Sequence, residues 1–137
     1  MAQYHLNIFA DLMELDPANP FVIPDPFNSY LSLSENTKII YKGIRQALKN
    51  DNRIEAMVNA FYLGFLLEER ASTPSDQRNC RRLLTEHYIQ TCSRIYFLFS
   101  KVGIAQIYRT KRSKFWMFRK LKKVEYNQLL QDIDGLV

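Results

Sequence analysis

Acidic residues are missing from a long part of this 137-residue sequence, since residues 87–124 contain no Asp or Glu. Residues 1–70 carry nine acids against six cations, whereas residues 71–137 carry five acids against thirteen cations. The formal charge of +5 is therefore concentrated in the second half of the chain. Such asymmetry predicts an anionic partner: nucleic acid, a membrane surface or an acidic protein. The alternative is a solvated basic face that serves only solubility.

Residues from which catalytic and metal sites are built are also scarce. The four glycines belong to no phosphate-binding loop or nucleophile elbow. His5 and His87 are far apart, and neither has a second His or a Cys at ligand spacing. We expect His87 to be a hydrogen-bonded residue on the inner face of its helix. The sequence therefore predicts no enzymatic activity, no cofactor and no metal site.

Cysteines and long apolar runs are few. Cys80 and Cys92 would lie about 18 Å apart on one helix, too far for a disulfide, so we expect buried free thiols. The longest apolar run, residues 60–67, is far shorter than the ~20 residues that cross a bilayer. The opening MAQYHLNIF lacks the basic and apolar regions of a signal peptide. Together these features predict a soluble, cytoplasmic protein.

What the sequence does contain is a basic aromatic segment, residues 101–123, KVGIAQIYRTKRSKFWMFRKLKK. It holds nine of the nineteen cations and four aromatic rings. Nucleic-acid-binding proteins use cations for phosphates and aromatic rings for base stacking. The alternative for the rings is burial in the core. We predict that the following residues bind nucleic acid or another anionic partner: Arg109, Lys111, Arg112, Lys114, Trp116, Arg119, Lys120, Lys122 and Lys123.

Hydrophobic periodicity predicts a mostly α-helical fold in one domain, residues 1–137. The predicted helices cover residues 3–15, 34–49, 52–70, 75–101 and 123–134. The second begins with Ser34 or Asn36 as its N-cap. It carries Lys38, Lys42, Arg45 and Lys49 on one stripe, which is either a solvated face or a second contact surface for an anion.

The two central helices are expected to form the core. Gly64 lies inside the helix over 52–70, where a glycine costs about 1 kcal/mol, and close approach of a neighbouring helix explains it. Thr73 or Ser75 caps the next helix, with Pro74 at its first position and Gly103 at its end. Residues 95–102 are apolar nearly all round, which predicts burial on several sides and favours a homodimer.

Two segments are predicted to be non-helical. Residues 17–30 contain four of the five prolines, so this Pro-rich segment is an extended arm, packed on its own domain or crossing to a partner. Residues 104–121 favour a small β-hairpin, because aromatic and β-branched residues are dense there. The alternative is one long helix that begins at Ser113 and runs to residue 134.

These observations predict a non-catalytic nucleic-acid-binding or regulatory protein that uses its basic aromatic C-terminal surface. DNA and RNA are equally compatible with this pattern. The first alternative is a non-catalytic adaptor or assembly factor that binds an acidic protein partner. The second is peripheral binding to an anionic membrane surface through residues 115–123.

Overall fold

Helices make up most of the chain that is described. The computed structural model describes residues 21–24, 27–103, 105–109, 114–118 and 122–136, and the side chains of 27–53, 55–103, 105 and 122–136. Within these ranges the helices are α1 (Leu33–Lys49), α2 (Arg53–Phe65), α3 (Pro74–Arg81), α4 (Glu86–Lys101) and α5 (Lys123–Asp134). The strands are β1 (Phe21–Pro24), β2 (Ala105–Arg109) and β3 (Lys114–Phe118). The predicted mostly α-helical fold is confirmed, and so is the helix over 123–134.

The central helix α2 packs against α1 on one side and α4 on the other. Phe61 and Leu63 of α2 are fully buried, and the Phe61 ring lies 4.9 Å from that of Phe99 on α4. At Gly64, an added Cβ would lie 2.4 Å from the Cys92 carbonyl oxygen and 2.5 Å from the Tyr96 Cβ. The expected close approach of a second helix is therefore confirmed, since only glycine leaves room for the α4 backbone.

The last turn of the predicted helix over 52–70 is not α-helical. A π-helical turn, Leu66–Arg70, extends α2, and its Ala71 N–H donates to the Leu66 carbonyl at 3.0 Å. The turn directs two carboxylates at α4, where Ser93 donates to Glu68 at 2.7 Å and Tyr96 donates to Glu69 at 2.9 Å. Local propensity does not encode this turn, because its hydrogen-bond partners lie on another helix.

The predicted continuous helix over 75–101 is wrong. The chain forms α3 and then α4, separated by a turn, because the Thr85 hydroxyl caps α4 by accepting from the Tyr88 N–H at 3.2 Å. His87 consequently lies in the first turn of α4 and is exposed, so its predicted inward position is wrong. It is nevertheless hydrogen-bonded, with Nε2 at 2.7 Å from the Gly135 carbonyl oxygen.

The other predicted helix ends have mixed outcomes. Thr73 and Pro74 begin α3 as expected, with the Thr73 hydroxyl accepting from the Asp76 N–H. Gly103, just beyond α4, has a φ of 78°, as a glycine terminator requires. The N-cap of α1 is Ser32, so the predicted Ser34 or Asn36 is wrong.

Asn36 is buried and fastens the segment before α1 instead of capping the helix. Its side-chain oxygen accepts from the Asn28 N–H at 3.0 Å, and its amide donates to the Asn28 carbonyl at 3.0 Å. The same amide group lies 2.9 Å from the Ser32 carbonyl oxygen. One side chain therefore replaces the backbone hydrogen bonds that this irregular segment lacks.

The strands form an antiparallel sheet in the order β1-β3-β2. Phe118 of β3 lies opposite Phe21 of β1 and Ala105 of β2. The connecting residues 104, 110–113 and 119–121 lie outside the described residues, so the hairpin over 104–121 stays a prediction. Residues 1–20 lie outside them too, and with them the predicted helix over 3–15 and part of the Pro-rich segment.

Candidate anion-binding surface

The predicted site residues fall into three groups. The strand register places Arg109 at the end of β2 opposite Lys114 at the start of β3, and Trp116 lies at the middle of β3. Lys122 and Lys123 are exposed where α5 begins. The others, Lys111, Arg112, Arg119 and Lys120, lie outside the described residues.

Three cations of the basic aromatic segment have described side chains: Lys101, Lys122 and Lys123. All three are exposed, and within the part of the chain whose side chains are described none forms an ion pair. Lys101 Nζ lies 5.3 Å from the centroid of the Phe97 ring. Glu125, the first acid after the acid-free stretch, is buried and accepts from the Lys122 backbone N–H at 2.8 Å.

A second basic surface lies on α1, and we call it the α1 stripe: Lys38, Lys42, Arg45 and Lys49. All four residues are exposed. At 3.6 residues per turn they lie within an arc of about 60° and span about 17 Å along the helix. No carboxylate pairs with them among the described side chains. The predicted stripe is therefore a continuous row of positive charge that no described carboxylate compensates.

Three arginines of the described part are paired with carboxylates. Arg53 lies 3.3 Å from Asp134, joining the start of α2 to the end of α5. Arg81 lies 3.7 Å from Glu68, and Arg94 lies 3.8 Å from Asp132. These pairs connect different elements, so the fold brings acids to these three arginines, whereas no described carboxylate pairs with the α1 stripe.

The α1 stripe borders a groove of about 780 Å³. Lys42, Arg45 and Lys49 line it together with Leu136, which follows α5. On the inner side of α1, Tyr41 packs edge-on against Tyr88, with ring centroids 5.1 Å apart. Burial raises the pKa of the Tyr88 hydroxyl, and the nearby Arg45 cation opposes that rise. The Arg45 cation therefore affects the ionisation of a core residue and also lines the groove.

A further basic groove, of about 760 Å³, lies along α3. Arg78, Arg81 and Arg82 line it. The Ser34 hydroxyl donates to the Asn79 carbonyl at 3.4 Å, so α3 lies beside the first turn of α1. Cationic side chains thus occur on two adjoining helices.

The two cysteines are expected to be buried free thiols. Cys80 and Cys92 are both free and buried, which confirms the prediction. Burial raises the pKa of Cys92 to about 12, so the thiol stays protonated at neutral pH. In the described ranges, no group of three or more His, Cys, Asp or Glu side chains is placed to hold a metal ion.

The outer face of α4 is less buried than its composition predicts. Ile95 and Phe99 are buried, but Phe97 is 55% exposed and Val102, just after the helix, is 48% exposed. They line a groove of about 570 Å³ that also includes Lys101 and Asp132. The burial on several sides that the sequence predicts for residues 95–102 is therefore only partly found in the described part of the chain.

Comparisons of the chain with protein-family models, with curated proteins and with solved structures found no match. Among the helices that are described, none combines the length and apolar character needed to span a bilayer. The function therefore has to be inferred from the charges and surfaces described above.

Proposed function

We propose that this protein binds nucleic acid without catalysing a reaction, and that the basic aromatic segment, residues 101–123, is its main contact surface. The supporting observation is that the described cations of this segment, Lys101, Lys122 and Lys123, are exposed and have no carboxylate partner among the described side chains. Uncompensated cations attract phosphates and gain free energy by releasing the counterions that surround them.

In this proposal residues 104–121 form a β-hairpin that presents Lys111, Arg112 and Lys114 to the ligand. The strand register supports it, because Arg109 and Lys114 lie opposite each other at the end of the ladder. Like charges at opposed positions destabilise a strand pair, and a phosphate between them would remove that cost. Trp116, and with it Phe115 and Phe118, would stack on bases or pack beneath the cations.

Fluorescence anisotropy tests this proposal with labelled duplex DNA, duplex RNA and single strands over a series of salt concentrations. If about five of the nine cations contact phosphates, log affinity for duplex DNA falls against log salt with a slope near −4.5. Replacing Lys111, Arg112 and Lys114 with Ala weakens binding while the circular dichroism spectrum stays unchanged. Absence of binding to every nucleic acid at low salt would overturn the proposal, and a weakly salt-dependent complex with a protein partner would favour the adaptor instead.

We also propose that the protein is a homodimer that buries the outer face of α4. A two-fold axis across this face would bring Phe97 onto its counterpart and Lys101 towards Asp132 of the second copy, since both line the same groove. Light scattering after size exclusion tests it: Phe97→Asp yields a monomer. Val124→Asp, the same charge change at an exposed apolar residue of α5, leaves the dimer intact. A wild-type monomer at high concentration contradicts the homodimer.

A regulatory role in the cytoplasm completes the proposal. Free, buried Cys80 and Cys92 are what a reducing compartment maintains. A small non-catalytic protein that binds nucleic acid acts by occupying a site or recruiting a second protein. Fractionation of cells expressing the tagged chain tests the location, and recovery only in a membrane fraction would contradict it.

A further inference from the structure

The α1 stripe is not required by the packing of the fold. Its four cations point away from the buried residues Ile44 and Ala47, which attach α1 to the core. Neighbouring cations at i+3 and i+4 repel one another. The chain therefore carries an unfavourable charge arrangement on α1 whose cost no contact of the described residues offsets.

The acids close to the stripe in sequence do not neutralise it. Glu35 is the one acid of α1, and its carboxylate accepts from the Ser32 hydroxyl at 3.2 Å, at the N-cap. Asp51 follows in the turn, with a φ of 55°, and pairs with no cation among the described side chains. The row from Lys38 to Lys49 therefore faces solvent as positive charge along about 17 Å of helix.

We propose that the α1 stripe is a second track for phosphate groups and that a nucleic-acid duplex spans it. This inference rests on the proposed function and adds a second anchor to the basic aromatic segment. Phosphate is the favoured ligand because Lys42, Arg45 and Lys49 line the 780 Å³ groove and supply only positive charge to it. A duplex provides a row of phosphates stiff enough to meet a straight helix at several points.

The aromatic residues of α1 favour a duplex over a single strand. Binding of unpaired strands relies on exposed rings on which bases stack. The one aromatic residue of α1 is Tyr41, and its ring packs edge-on against Tyr88 at 5.1 Å. The stripe thus offers charge without a stacking platform, which suits phosphate contacts on either duplex DNA or duplex RNA.

The test compares two double variants with the same loss of charge. In the stripe variant, Lys42 and Lys49 are each replaced by Gln; in the control variant, Arg53 and Arg94, which are already ion-paired, are each replaced by Gln. Anisotropy with DNA and RNA duplexes and the matching single strands is measured over a series of salt concentrations. Thermal melts verify that both variants fold.

The stripe variant is expected to flatten the salt dependence on duplex DNA by about 1.8 in slope, from ~0.9 per phosphate contact. The control variant keeps the wild-type slope. A third variant that places Arg at the same two positions, Lys42→Arg and Lys49→Arg, also keeps it, because the charge is retained. The duplex that shows the flattening, DNA or RNA, identifies the source of the phosphates.

Other outcomes overturn the inference in distinct ways. Equal slopes for the stripe and control variants would show that the stripe makes no phosphate contacts of its own. A stripe variant that loses affinity for single strands alone would overturn the duplex assignment. Wild-type protein that binds none of the nucleic acids would overturn the proposed function itself, so the two failures remain distinguishable.

Discussion

The neighbouring helices α1 and α2 each carry a glycine near their middle or end and differ in what surrounds them. In α2, Gly64 lies against the α4 backbone, and Phe61 and Leu63 are fully buried. In α1, the three atoms nearest to an added Cβ at Gly43 all belong to the Asn59 side chain, the closest at 3.3 Å. The outer side of α1 bears charge, and no described helix packs on it. The central helix therefore serves the fold, and the peripheral helix is free to carry a binding surface.

The largest expected effect is the difference in stability between alanine variants of Gly64 and Gly43. Gly64→Ala should lower the free energy of unfolding by about 3 kcal/mol, because the new methyl overlaps a carbonyl that cannot move away. Gly43→Ala should change it by less than about 1 kcal/mol, since the Asn59 amide can shift and Ala favours helix. Urea denaturation measures both. Equal stability of the two variants would remove the distinction between the helices.

The next effect concerns how α1 is fastened at its start. Asn36→Ala should cost about 2 kcal/mol, because the Asn28 N–H and carbonyl both lose their side-chain partner. Asn50→Ala, at the exposed end of the same helix, is the matched control and should cost a few tenths. If both substitutions cost the same in urea denaturation, the side-chain contacts of Asn36 do not stabilise the start of α1.

Alkaline pH should lower the free energy of unfolding through the buried Cys92 thiol of α4. Burial raises the pKa of Cys92 from 9.0 to about 12, so the unfolded chain loses this proton first and stability falls as pH rises from 9 towards 12. The loss is about 1.4 kcal/mol one unit above the unfolded pKa. Burial raises the pKa of Tyr88 and Tyr96 too, with the same sign above pH 10. Urea denaturation at pH 7 and 10 measures the loss; an unchanged free energy contradicts it.

The smallest effect tests the charge of α1 in the absence of ligand. Lys42→Gln removes two like-charge pairs, with Lys38 and Arg45, and should stabilise the protein by about 0.4–1 kcal/mol at low salt. Arg53→Gln removes an ion pair with Asp134 and should destabilise it by a few tenths. Both changes should shrink in concentrated salt. The same sign for both variants would show that the stripe is already compensated.

The features that sequence predicted well are those encoded by nearby residues. The Thr73–Pro74 start of α3, the limits of α5 and the buried thiols follow from local patterns of caps and apolar spacing. The α1 stripe also followed from spacing alone. For these elements the physical cause, a side-chain cap or an amphipathic face, lies within a few residues of its effect.

The errors came from partners distant in sequence or from competing local signals. The π-helical turn Leu66–Arg70 depends on hydrogen bonds from Ser93 and Tyr96, and no pattern in the sequence near Glu68 indicates these partners. A local signal for the break before α4 was present, because Thr85 directly precedes Glu86 as an N-cap residue does. The long apolar pattern nevertheless favoured one continuous helix. Which cations find acids, as Arg53 finds Asp134, is decided only when the helices pack.

The π-helical turn affects how the end of α2 would respond to the loss of one residue. Its Ala71-to-Leu66 hydrogen bond encloses one residue more than an α-helical turn would. Removing one residue there would let α2 run on as ordinary helix with its backbone bonded throughout. The loss would be the two carboxylate contacts to α4, through Glu68 and Glu69. The turn thus interrupts the regular α-helical hydrogen bonding and adds an attachment between two helices. A deletion of one residue would be accommodated there.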